Sequence, residues 1–141
     1  MKKILIINSN YYKDISKSLV SSTKKELFKK KYHIKILEVS GIFEIPIAIR
    51  KNIYKYDGFI ALGCVIKGQT PHFDLISTST FKAILDLSIK FNKPIGNGII
   101  TAFNLGQAKN RSKKTSGKKP NKGSEAARAL IAILKNEPKK I

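Results

Sequence analysis

The sequence predicts an α/β fold: a three-layer α/β/α sandwich on a four-stranded parallel sheet with helices on both faces. Three observations predict it. Isoleucine-rich runs at 3–8, 34–39, 59–66 and 95–101 have the composition of strands, and most are continuous enough to be buried on both faces. Stretches of helical periodicity separate them, and strands alternating with helices imply parallel pairing through right-handed crossovers. Turn signals sit at the boundaries, as in Asp57-Gly58 and Asn92-Lys93-Pro94. At 141 residues the chain fits a single domain spanning 1–141.

The first strand, 3–8, is followed by a polar turn at 9–12. A helix is expected from Asp14 to about Lys31, with Ile15, Leu19, Leu27 and Phe28 on one face among lysines. The alternating run 34–39 is the second strand. After a loop at 40–46, Pro46 is placed to open a helix reaching about Tyr54. The third strand, 59–66, leads to the longest helix, 71–91. Its apolar residues Leu75, Ile76, Ile84, Leu85, Leu87 and Ile89 cover a broad surface and imply burial on more than one side. Proline 94 disfavours helix in the residue before it, so this helix stops near Asn92. In the fourth strand Gly96 and Gly98 imply close approach of another backbone or a ligand. A short helix at 105–112, a basic loop at 113–122, an amphipathic helix at 124–134 and a tail at 137–141 complete the chain.

The formal net charge of +19 implies attraction to polyanions or, more plainly, lysine at solvated positions. The plain reading leads. Arginine occurs only at 50, 111 and 128, and the one dense cluster, 109–122, has no aromatic residue, so nucleic acid is not an expected partner. No apolar run approaches the ~20 residues of a membrane span. The apolar patch after Lys2-Lys3 reads as a strand rather than a signal peptide. A single cysteine, Cys64, excludes an internal disulfide and fits a reducing cytoplasm.

Ligands of parallel sheets bind beyond the C-terminal strand ends, so the loops at 9–12, 41–46, 67–72 and 102–104 should face one site. In the third of these, Thr70 reads as an N-cap with Pro71 at the first helical position and Gly68 permitting a tight turn. Exposed N–H groups there favour an anion, phosphate above all. His72, one residue inside the helix, would be held neutral by the helix dipole and able to exchange protons. Taken alone, a capped helix and a structural histidine are the simpler readings. Glu44 is either a dipole-complementing glutamate or a hydroxyl acceptor beside Phe43, and Tyr11 and Tyr12 either stack on a flat ring or pack. Arg111 offers a planar fork suited to phosphate. Two distant histidines, His33 and His72, and one cysteine give no metal-ligand spacing, and no nucleotide-binding glycine motif occurs.

Together, GIFEIP at 41–46, ALGCVIKGQTPHFD at 61–74, NGIIT and QAKNR within 97–111, NKGSEAA at 121–127 and SNYYKDIS at 9–16 resemble the 6,7-dimethyl-8-ribityllumazine synthases. The resemblance implies a flavodoxin-like fold and a cofactor-free transferase of riboflavin biosynthesis. Such an enzyme condenses 5-amino-6-(D-ribitylamino)uracil with 3,4-dihydroxy-2-butanone 4-phosphate and releases phosphate and water. It implies His72 as the proton-transfer residue. Pyrimidine and ribityl contacts would come from Tyr11, Ile42, Phe43, Glu44, Cys64, Val65, Ile66 and Asn97. Phosphate contacts would come from Gln69, Thr70 and Arg111, with Lys122 as a further polar contact. It also implies a homopentamer or a multiple of it, with Arg111 and Asn97 reaching a neighbour's site. The sequence departs from the family's usual pattern at Asn97, Gln69, Phe103 and 105–106. Its longer 111–122 spacing argues for isolated pentamers or pentamer pairs over closed shells. The alternative is a basic flavodoxin-like module that binds a flavin, a lumazine or RNA without catalysis.

Overall fold

A computed structural model of the chain describes residues 1–113 and 121–136. Its strands are β1 (Lys3–Ser9), β2 (His33–Val39), β3 (Gly58–Ile66) and β4 (Ile95–Ala102). All pair in parallel in the order β2-β1-β3-β4. The helices are α1 (Lys13–Leu27), α2 (Ile45–Lys51), α3 (His72–Phe91), α4 (Leu105–Ser112) and α5 (Lys122–Lys135), with one 3-10 turn at Ile42–Glu44.

The period-two alternation of strand side chains divides the apolar runs between two cores. Ile4 and Ile6 of β1, Ile60 and Leu62 of β3, and Ile100 of β4 pack with Ile15, Leu19, Ala127 and Leu130 of α1 and α5. The intervening residues Leu5, Ile7, Phe59, Ala61 and Ile99 pack with Ile45, Ile49 and Ile84 of α2 and α3. This is the three-layer α/β/α sandwich expected from the sequence. Gly96 is explained by its neighbour: a Cβ there would meet the Ala126 carbonyl oxygen at 2.5 Å, so α5 lies directly on β4. α3 ends on Asn92, whose left-handed backbone (φ 54°) turns the chain back toward the sheet.

Several boundaries differ from expectation. α1 stops at Leu27, and the Phe28 N–H closes its last turn on the Lys24 carbonyl. Phe28 therefore points into solvent instead of joining Ile15 and Leu19. α2 ends at Lys51 and continues only as turns, while α5 begins two residues early because Asn121 caps it. The broad apolar surface of α3 is not covered by its own chain: only Thr80 and Ile84 are buried, and Leu75, Leu85 and Ile89 stand 60–72% exposed. The basic loop and the tail fall almost wholly outside the described residues. No helix among the described residues is long and apolar enough to cross a membrane.

Ser9 is opposite Val39, and Ile66 opposite Ala102, so all four strands end at one edge of the sheet. The loops that follow them build the site.

Candidate active site

A groove of about 410 Å³ opens at this edge. Eight of the residues singled out in the sequence line it: Tyr11, Ile42, Phe43, Glu44, Cys64, Val65, Ile66 and His72. β1 delivers Tyr11, the 3-10 turn delivers residues 42–44, β3 delivers 64–66, and α3 delivers His72 as its first residue. Tyr11 and Phe43 present exposed rings at the mouth, and Tyr11 meets Tyr12 edge-on at 5.0 Å. A larger groove of about 640 Å³ runs beside α1, lined by Lys13, Lys17, Lys24 and Lys25, but it holds no histidine and none of these residues.

The polar groups of the smaller groove are few and poised. Glu44 receives the Ser40 hydroxyl on Oε1 at 3.1 Å, while its Oε2 is buried with no partner. Facing the groove, that oxygen is free to accept a hydrogen bond from a water or a ligand donor. Burial pushes the Cys64 thiol up to about 11, so it lines the groove as a neutral, weakly polar group. Tyr12 is also raised, first by burial and then by the proximity of Cys64 and Tyr11.

The turn before His72 corrects two expectations. Pro71, with ψ near 4°, occupies the N-cap position, and no side chain caps α3, so Thr70 is one residue too early to serve as the cap. Gly68 has no positive φ, and a Cβ there would meet nothing within 4 Å, so the turn does not depend on a glycine. The uncapped helix leaves its first N–H groups open beside the exposed residues Gln69 and Thr70. Those donors and the helix dipole favour an anion.

The remaining candidates sit apart. Arg111 and Lys122 line a separate cavity of about 330 Å³ with Thr101, Gln107 and Asn110. Both are ion-paired to Glu125, Arg111 Nη2 at 3.7 Å and Lys122 Nζ at 3.4 Å. Asn97 lies on the edge strand β4, lines neither cavity, and accepts the Ile99 N–H on its own side chain at 3.1 Å. One chain thus gathers Tyr11, Phe43, Glu44 and His72 in one groove and places Arg111 and Lys122 in another. Sequence reasoning missed Ser40 and Glu125. The S-G-x-x-E spacing at 40–44 carried the signal for the first, and the glutamate of NKGSEAA for the second.

Residues 1–137 match the model of the 6,7-dimethyl-8-ribityllumazine synthase family. The chain belongs to this family. A 6,7-dimethyl-8-ribityllumazine synthase of Afipia carboxidovorans is 38% identical over 140 residues, covering 94% of this chain and 84% of that protein. Those of Bartonella tribocorum and Bartonella henselae are 37% and 39% identical, each covering 94% of this chain and 89% and 88% of their own lengths. A lumazine synthase fold is therefore what the two cores assemble.

Proposed function

We propose that the chain forms 6,7-dimethyl-8-ribityllumazine in the 410 Å³ groove, and that the site is completed by a neighbouring copy of the same chain. The observation that carries this reading is the convergence of a proton carrier, His72, an unsatisfied acid, Glu44, and apolar walls with aromatic rings in one groove.

The pyrimidine lies against Cys64, Val65 and Ile66 with Tyr11 over its face, and Glu44 Oε2 accepts a ribityl hydroxyl. The phosphate of the butanone sits on the open N–H groups at the start of α3, beside Gln69 and Thr70. The 5-amino group attacks the ketone, water leaves and an imine forms. His72 then moves the protons that accompany elimination of inorganic phosphate. The ribityl-bearing nitrogen closes the second ring on the remaining carbonyl, and a second water departs. Every step is an addition of nitrogen to a carbonyl, a proton transfer or a loss of phosphate or water, with no net oxidation or reduction, so the proposed reaction runs without a cofactor.

Arg111, Lys122 and Asn97 reach the site of the next copy. Two observations support a closed ring of copies, five-membered as the resemblance implies. The cations occupy a cavity of their own, and α3 and α2 leave Leu75, Leu85, Ile89 and Ile47 uncovered. An apolar face of that extent marks a protein contact. We place the enzyme in the cytoplasm.

The test is product fluorescence from the two purified substrates. Activity is expected from the native chain, with large losses in His72→Ala and in Arg111→Ala. Mixing and reassembling these two inactive chains should restore a fraction of the activity, because some contacts then pair an intact His72 with an intact Arg111. No lumazine from the native chain would overturn the assignment. Absence of rescue on mixing would overturn the shared site.

A further inference from the structure

Lys67 and Phe103 sit where β3 and β4 leave the sheet, and the mechanism above uses neither. Lys67 Nζ lies 5.4 Å from the centre of the Phe103 ring, within cation–π range. Phe103 in turn lies 6.5 Å, centre to centre, from Phe73 in the first turn of α3. Both partners are fixed through their backbones. The Lys67 N–H donates to the Ala102 carbonyl at 2.9 Å, and the Phe103 N–H donates to Gln107 Oε1 at 2.8 Å. Gln107 is held by the Asn104 cap, which accepts its N–H at 2.9 Å. Phe103 is an exposed aromatic ring at a polar helix start, an arrangement that burial does not explain. Among the described residues Lys67 has no carboxylate partner, and Asp74, the acid in the first turn of α3, has no cationic partner. The ammonium therefore keeps its whole charge one residue before the turn that seats the phosphate.

We infer that Lys67 is a further binding residue for the substrate's phosphate, supplied by the same chain as His72, and that Phe103 positions it. The inference rests on the functional reading above. An ammonium beside a phosphate dianion at a solvated surface changes affinity by about threefold to tenfold. The ring holds the lysine upright without neutralising it, which a carboxylate at 103 would do.

The test compares Lys67→Met, Lys67→Arg, Phe103→Ala and Phe103→Glu. Lys67→Met should raise KM for the butanone phosphate by about threefold to tenfold and leave KM for the pyrimidine unchanged. Lys67→Arg should restore the native value. Phe103→Glu, which pairs the ammonium, should match Lys67→Met, and Phe103→Ala should fall between. Calorimetric titration of each resting protein with inorganic phosphate should give the same ranking without turnover, so it stands even if no lumazine is formed. Native-like phosphate affinity in both Lys67→Met and Phe103→Glu would sink the inference, as would equal shifts in the two KM values.

Discussion

Glu125 faces two cations whose proposed task is to meet an anion on another chain. Its pairs with Arg111 and Lys122 are partly solvated, and such pairs contribute about 0–1 kcal/mol each. Repulsion between this carboxylate and an incoming phosphate is of the same order, and removing it outweighs the lost orientation. Glu125→Gln should therefore tighten inhibition by inorganic phosphate about twofold to fivefold. A weakened inhibition would instead assign Glu125 to holding the arginine in place. Cys64 makes a second residue-level case. Burial raises its folded pKa from the ordinary thiol value to about 11, so the folded chain keeps a proton that the unfolded chain releases. The contribution of this thiol to stability is complete below pH 9 and is lost as the pH rises toward 11. In the folded protein its alkylation should stay slow at pH 8 and accelerate only near its raised pKa. Urea midpoints from pH 8 to 11 should fall less in Cys64→Ala than in the native chain.

At the scale of elements, what was legible in the sequence depended on where the burial comes from. The strands read plainly because β1 and β3 are covered on both faces by their own chain, so their apolar runs are uninterrupted. The site loops read plainly because parallel strands must end together. Phe28 did not: periodicity gives a helix its face, but 28–31 carries no glycine or proline to mark the stop. The outer face of α3, which its own chain leaves uncovered, is a different case. Apolar periodicity reports that a surface will be covered and is silent about which chain covers it. Glu125 was overlooked because it lies 14 positions from Arg111, and only the docking of α5 beside α4 brings them together. That docking rests on Gly96, which was read correctly as a point of close approach. A methyl group there has to displace the backbone carbonyl of Ala126, so Gly96→Ala should cost about 1–3 kcal/mol in urea unfolding. Activity should fall with it, since α5 carries Lys122.

At the scale of the molecule, the charge and the apolar face work against each other. A +19 chain repels its copies, while Leu85 and Ile89 of α3 each stabilise a contact by about 1.5–3 kcal/mol when fully covered. In the proposed ring, assembly would be the balance of the two, so one buried charge on that face should decide it. Leu85→Asp or Ile89→Asp should sediment as the single chain with unchanged far-ultraviolet circular dichroism and no lumazine synthesis. Retained assembly in both variants would move the contact elsewhere.

The separation of the His72 groove from the Arg111 cavity also sets how activity responds to dosage. In the proposed ring every chain receives at one side and gives at the other, a head-to-tail contact that closes on itself. A chain defective in both halves silences its own site and its neighbour's. Activity in mixed rings then follows the square of the intact fraction, and an equal mixture keeps about a quarter of the native rate rather than half. A damaged copy expressed beside a sound one would act as a poison, which a self-contained active site would never permit.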